Sequence, residues 1–253
     1  MITRKQLRKQ MERREMLKLS AAGALAGLAA TLSPGQAFAS TGSLRVALIN
    51  GSPREKGCTF TALEVIAETL NGLGVESEFF WLGTKPLAGC IACDVCRRTG
   101  ECALKDRVNE FTPVAERADG FIFGSPVHFA GSSGTIKSFM DRVFFSALCG
   151  KRDTFYLKPA AAVTAARRSG NVSAFDALNK HFTLMEMPVI SSRYWNMVFG
   201  MTPEDVRRDV EGLQIMRVLA RNMAWFLRCK QAAQAAGVPM PEREPRISLN
   251  FMR

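Results

Sequence analysis

Apolar residues recur along this chain in two rhythms. Residues 44–50 (Leu-Arg-Val-Ala-Leu-Ile-Asn) are apolar almost throughout, as a central parallel strand covered on both faces should be. After them Leu63, Ile66, Ala67 and Leu70 fall at helical spacing, and Gly72 and Gly74 end the pattern. Residues 75–82 open with polar alternation, which predicts a strand near a sheet edge. Residues 120–124 read as a second buried strand and 160–164 as a third; 187–190 is short and carries Pro188, which assigns it to an edge. Helical periodicity fills 107–118, 135–149 and 171–182. Strands alternating with helices predict an α/β fold, a doubly wound parallel sheet with helices on both faces. Five strands at this spacing fit the order 2-1-3-4-5, whose ligand crevice opens at the carboxyl ends of strands 1 and 3.

The last helix is the most clearly punctuated. Thr202 can N-cap it, Pro203 suits its first turn, and Asp205 can reach back to the capping N–H. Val206, Val210, Leu213, Met216, Ala220, Met223 and Leu227 then recur at steps of three or four, a stripe for packing on the sheet. Gly237 and Pro239 stop the helix, and an Arg-rich tail from Glu242 either docks on a partner subunit or is loose.

At 253 residues and 47% hydrophobic, the chain has room for one large domain or two small ones. Its formal charge of +11 is concentrated at the start, where Arg4, Lys5, Arg8, Lys9, Arg13, Arg14 and Lys18 face only Glu12 and Glu15. A mildly apolar run over 19–32 and the small-residue site Ala37-Phe38-Ala39 follow. Residues 1–39 therefore read as a targeting segment cleaved after Ala39, and 40–253 as the folded domain. The apolar run, about 14 residues, falls short of the roughly 20 that cross a bilayer, which leaves no stable membrane span after processing. Arg13-Arg14-Glu15-Met16-Leu17-Lys18 resembles the twin-arginine signal R-R-x-F-L-K, with Met16 in place of Phe. That resemblance implies a periplasmic protein exported already folded, commonly with its cofactor; the other reading is an uncleaved amphipathic anchor. Without the leader the net charge is +6, too mild for a nucleic-acid partner, and no basic stripe with interleaved aromatics is present.

Between the first strand and its helix stands Asn50-Gly51-Ser52-Pro53-Arg54-Glu55-Lys56-Gly57-Cys58-Thr59. Strand, short Gly/Ser/Thr loop and helix aim N–H groups and a positive dipole end at an anion, and Ser52, Thr59 and Arg54 add donors suited to a phosphate. A Walker A loop is excluded, because five residues separate Gly51 from Gly57 and Cys58 stands where Lys belongs. Pro53 excludes G-x-G-x-x-G, and Glu64 stands where a Cys-based phosphatase loop needs Arg. The loop resembles the G-S-P-R-x-x-G-N-T turn of flavodoxin-like FMN proteins, the NAD(P)H-dependent FMN reductases and iron–sulfur flavoproteins, with Cys58 replacing the usual Asn; the alternative is an ordinary turn without a ligand. The resemblance implies a flavodoxin-like three-layer fold and an FMN phosphate held by Ser52, Arg54, Gly57, Cys58, Thr59 and Phe60. With FMN bound, a phosphate about 5 Å from Cys58 opposes a thiolate by roughly 3 kcal/mol at an effective dielectric near 20. The helix end favours the thiolate by only about 0.5–2 kcal/mol. Cys58 is therefore expected to be a neutral thiol and not a nucleophile.

Two further loops carry the resemblance. Ser125-Pro126-Val127-His128-Phe129-Ala130 resembles the S-P-V-Y-F-G segment that lies along the flavin ring, and residues 136–142 continue the match. Backbone groups there can satisfy the ring's pyrimidine edge, while His128, in the Tyr position, either stacks on the ring or steers protons. Arg167-Arg168-Ser169-Gly170 resembles the R-x-G-G loop, which implies contacts from Arg167, Ser169 and Gly170 and a cation near the pyrimidine end. Trp195-Asn196 matches a Y-W-N segment of a wider subgroup; a packed aromatic is the reading preferred for it.

The most specific chemical signal is Cys90-x2-Cys93-x2-Cys96-x5-Cys102, a Cys-rich loop over 90–102 after the second strand. Four thiolates in so short a run meet the requirement of a [4Fe–4S] cluster, and the spacing resembles that of iron–sulfur flavoproteins. Zinc, which favours two separated C-x2-C pairs, disulfides in an oxidising compartment, and a motif that has lost its metal are the competing readings. Cys149 and Cys229 lie among apolar neighbours on helical patterns and read as buried thiols.

The resemblance covers about 44–227 and implies an FMN-dependent oxidoreductase that passes electrons to a small quinone- or flavin-type acceptor, with NAD(P)H as the usual donor and a dimer or tetramer as the usual assembly. An electron carrier serving a redox protein is the alternative, and export, which removes the chain from cytosolic NAD(P)H, favours a protein, haem or quinol donor. A binding module without turnover is a third reading.

Overall fold

The computed structural model describes residues 42–244 and 247; the targeting segment at 1–39 and most of the Arg-rich tail lie outside them. The elements are β1 (Arg45–Asn50), α1 (Cys58–Gly72), β2 (Glu76–Trp81), α2 (Val95–Thr99), α3 (Arg107–Arg117), β3 (Gly120–His128), β4 (Gly131–Ser132), α4 (Gly134–Cys149), β5 (Ala160–Ala166), α5 (Asn171–Leu184), β6 (Met197–Phe199), α6 (Pro203–Arg208) and α7 (Val210–Ala235). Parallel strands pair in the order β2-β1-β3-β5-β6, and the short β4 adds antiparallel to β3. Leaving out β4, this is the flavodoxin-like order 2-1-3-4-5.

The apolar runs are buried on both sides because successive residues point to opposite faces. Ala47 and Ile49 join one core with Phe111, Phe139 and Phe182 from α3, α4 and α5. Val46 and Leu48 join the other with Leu63, Ile66 and Leu70 of α1 and Met216, Leu219 and Met223 of α7. The sheet thus lies between two helical layers. Among the described residues no helix is long and apolar enough to cross a membrane.

Three expectations are corrected. The fifth parallel strand is Met197–Phe199; the 187–190 segment touches β5 through a single bridge, Ala160 to Val189, and the chain then leaves the sheet until residue 197. The last helix is two helices. Thr202 and Asp205 form the expected capping box on α6, but Asp209 ends that helix and N-caps α7, its carboxylate accepting from Gly212 N–H at 2.9 Å and from Phe199 N–H at 2.7 Å. The break turns Val210 outward to 74% exposure, and the buried stripe resumes at Gly212 and Ile215. Cys229 is exposed, on the solvent side of α7, and Cys149 only half-buried.

Asp209 therefore joins a helix start to the edge strand. Asp209→Ala should lower stability by about 1–2 kcal/mol, the cost of losing an N-cap, measured as a shifted urea midpoint with unchanged slope.

Candidate functional site

The turn after β1 is held by its own polar groups. Ser52 N–H donates to Asn50 Oδ1 at 3.0 Å, Asn50 Nδ2 donates to Glu55 O at 2.9 Å, and Arg54 N–H donates to Ser52 Oγ at 3.1 Å. The Trp81 indole N–H, from the end of β2, donates to Ser52 O at 2.8 Å. Gly51 cannot carry a side chain: a Cβ would lie 2.6 Å from Ile136 Cδ1 and 2.9 Å from Gly124 O. Gly51 N–H donates to Gly124 O at 2.9 Å, and Ser133 Oγ, the N-cap of α4, donates to Gly51 O at 2.8 Å.

At the helix end of this turn the donors are left available. Gly57 N-caps α1 in extended conformation with no side-chain hydrogen bond to the first turn, whose leading N–H groups have no intrahelical partner. Thr59 is buried and its hydroxyl has no hydrogen-bond partner. An anion at this point satisfies that hydroxyl and the helix N–H groups together. Arg54 is exposed beside the turn, and Phe60 packs on Phe79 with ring centroids 5.0 Å apart. The Cys58 thiol donates to Gly200 O at 3.6 Å, and burial pushes its pKa up. The neutral thiol expected from sequence follows, with desolvation as its cause before any phosphate is considered.

β3 runs four residues further than its apolar core predicts, to His128, and turns back through β4. Phe129 and Ala130 both take positive φ, 48° and 60°, at the hairpin tip. Phe129 is fully exposed, and His128 is exposed beside it. The Ser125 side chain is already engaged: its Oγ donates to Pro126 O at 2.8 Å and accepts from Ser133 N–H at 3.0 Å. Its side chain is therefore not free for a ligand, and Pro126 and Val127 are half-buried in the hairpin. Gly170, at φ 90°, packs against this hairpin, where a Cβ would lie 2.7 Å from Ala130 Cα. Arg167, Arg168 and Ser169 are exposed on the same β5–α5 loop.

Parallel strands bring these loops to one edge of the sheet. Buried there are the Thr164 hydroxyl and both polar side-chain atoms of Asn171, which the sequence does not single out, and Asn196 Oδ1 of the Trp195-Asn196 pair, none with a partner. Trp195 departs from expectation. It is 47% exposed and leans on Tyr194, because the chain has left the sheet at that point.

The cysteine loop follows β2 at the same edge. All seven cysteines are free, and Cys90, Cys93, Cys96 and Cys102 line one shallow pocket, partly open to solvent, together with Arg142, Phe145 and Ser146 of α4. Burial, and then the neighbouring Cys149 thiol, push the Cys96 pKa up. Among the described residues no three His, Cys, Asp or Glu side chains are gathered closely enough to hold a metal ion. The donor set itself, four sulfurs on one pocket with no histidine or carboxylate ligand required, fits an iron–sulfur cluster.

In the sequence Arg142 stands only as the last residue of the segment 136–142. It is 2% exposed, and its guanidinium donates to Cys102 Sγ at 3.2 and 3.3 Å, to both Asp106 oxygens at 2.8 and 3.0 Å, to Leu104 O at 2.8 Å and to Ala88 O at 3.1 Å. Burial pulls its pKa down, the bonds to Asp106 and Cys102 push it up, and the balance is upward.

Residues 44–202 match the family described as NADPH-dependent FMN reductase. An iron-sulfur flavoprotein of Methanocaldococcus jannaschii is 33% identical over 193 residues, 72% of this chain and 96% of that one. The FMN reductase (NADPH) of Escherichia coli is 36% identical over 109 residues, 43% of this chain and 52% of that one. A solved structure, the flavodoxin, WrbA-like protein from Agrobacterium tumefaciens, superposes with a TM-score of 0.51 at 15% identity, covering 74% of this chain and 99% of that one; at that identity the likeness shows the fold.

The unpartnered Thr59 hydroxyl separates ligand from fold. Thr59→Val should leave the flavin-free protein equally or slightly more stable in urea, since a buried orphan is removed. It should weaken FMN about 10–100-fold in a flavin-fluorescence titration, the worth of one hydrogen bond to a charged group, about 1.5–3 kcal/mol.

Proposed function

The chain belongs to the NADPH-dependent FMN reductase family and is a flavin-dependent oxidoreductase, and from that premise we propose that it passes electrons from bound FMN to a small quinone- or flavin-type acceptor by way of a [4Fe–4S] cluster. The observation that carries this reading is a conjunction at one sheet edge. An uncapped helix start with a buried, unpartnered hydroxyl stands there, and four free thiols line a pocket on the neighbouring loop.

In this reading the first-turn N–H groups of α1, the Thr59 hydroxyl, Ser52 and Arg54 take the FMN phosphate, with Gly57 giving the backbone room to approach. Backbone groups of Ser125, Pro126 and Val127 orient the ring along the β3–β4 hairpin, His128 and Phe129 offer it a stacking face, and Arg167, Ser169 and Gly170 close its pyrimidine end. A positive Arg167 there lowers the energy of negative charge on the ring. The flavin supplies the redox chemistry, and the protein binds, orients and tunes it. Cys90, Cys93, Cys96 and Cys102 hold the cluster.

The second reading is an electron carrier for a redox protein. Exposed Phe129, Tyr194 and Trp195 favour it, as apolar surface for a docking partner. We propose further that residues 1–39 export the folded protein to the periplasm by the twin-arginine route. There a nicotinamide donor is lacking, and the FMN and cluster would serve a protein, haem or quinol donor. A dimer or tetramer is the proposed assembly.

Anaerobically purified protein should be yellow to brown, with flavin absorption and a broad sulfide-to-iron band that dithionite bleaches. A colourless protein without flavin would overturn the reading, and iron content unchanged by Cys93→Ser would remove the cluster alone. Stopped-flow mixing with NADPH separates the donors: the flavin should stay oxidised, and rapid bleaching would return the protein to the nicotinamide-driven reductases.

A further inference from the structure

We propose that Arg142 is a positioning residue for the cysteine site, holding the Cys102 sulfur with two N–H donors and presenting a buried positive charge to whatever the four thiols bind. The inference rests on the cluster reading above and adds a residue that spacing and motif do not assign to it.

The geometry is unusual for a structural arginine. A buried guanidinium is normally accounted for by a carboxylate and a few carbonyls, and Asp106, Leu104 and Ala88 supply these here. Yet both Nε and Nη2 also lie within 3.3 Å of Cys102 Sγ. All three of the nitrogens are engaged, and the planar fork fixes where the sulfur sits relative to the loop. Asp106 extends the arrangement: the carboxylate that orients Arg142 also caps α3 by accepting from Val108 N–H at 3.1 Å. The last cysteine of the motif is thereby tied to α4 and α3, both rigid and packed in the core, while Cys90 and Cys93 lie on exposed backbone. Cys102 is thus the anchored end of the site.

The bonds to sulfur have their own consequence. Reduction potentials of iron–sulfur centres depend on net charge, hydrogen bonds to sulfur and exposure to solvent. Arg142 is paired with Asp106, so it acts on the centre chiefly through its N–H groups on a ligand sulfur, which favour the more negative, reduced state. Arg142 should therefore raise the potential of the centre, making it the easier electron acceptor from the flavin.

The test uses the full chain as wild type, Arg142→Lys and Arg142→Gln, matched for flavin content and circular dichroism. Lysine keeps the charge and loses the fork; glutamine loses both. Midpoint potentials of the reconstituted cluster, read by EPR during redox titration, should fall in the order wild type, Lys, Gln. The Gln variant should shift the reduction equilibrium at least tenfold, about 59 mV for a one-electron couple. In cluster-free protein the affinity for cobalt(II), read from its sulfur charge-transfer band, should fall tenfold or more in Arg142→Gln. If the Gln variant does not fold, the Lys variant decides. Unchanged potentials and cobalt affinity overturn the proposal. So does a loss of iron or thermal stability with no shift in the potential of the cluster that remains, because that is what a purely structural arginine gives. A wild type that takes up cobalt but no cluster sinks the cluster reading and leaves the cobalt comparison to judge Arg142; one that takes up neither overturns both.

Discussion

The turn after β1 leaves the backbone donors at the start of α1 unoccupied while Asn50, Gly51 and Ser52 are tied into hydrogen bonds of their own. A loop that folds over its own donors has nothing left for a ligand. Here Asn50, Ser52 and Trp81 tie the turn internally, and Gly51 lets it press against β3 and α4, where Ser133 takes the remaining carbonyl. What stays free is the N-terminus of a fifteen-residue helix and the hydroxyl of Thr59. Leaving a buried hydroxyl without a partner costs stability, and an anion at this point removes that cost.

The same logic works with the opposite sign of charge at the cysteine loop. A buried guanidinium costs a great deal unless it is fully bonded. Arg142 meets that condition only because the 88–106 segment folds around it and brings Asp106 and Cys102 to its fork. The loop is organised by an arginine on a core helix and not by its own sequence, which is short of apolar anchors: Ile91 is 61% exposed. The pocket of four thiols is thus a product of α4 as much as of the motif.

The turn after β1 and the cysteine loop share an edge because parallel strands deliver all their carboxyl ends to one side. The hairpin at His128 to Gly131 and the β5–α5 loop lie on that side as well, packed together through Gly170 and Ala130. Apolar rings stand out from it at Phe129, Tyr194 and Trp195, giving the edge a surface that an acceptor or a partner can meet.

Much of this was legible locally. The strand and helix periods, the phosphate-loop spacing, the capping box at Thr202 and Asp205 and the compact cysteine run are short-range patterns, and short-range patterns are what a sequence encodes openly. The sequence by itself determined the fold class and the flavodoxin-like strand order, though not which segment supplies the fifth strand. Tertiary structure alone decided the rest. It engaged Ser125 with Ser133, broke the last helix at Asp209 by bonding it to Phe199, left Trp195 and Cys229 in solvent, and set Arg142 on Cys102 forty residues away. Each of these depends on which distant group reaches a polar atom or covers an apolar one, and spacing along the chain carries no record of that.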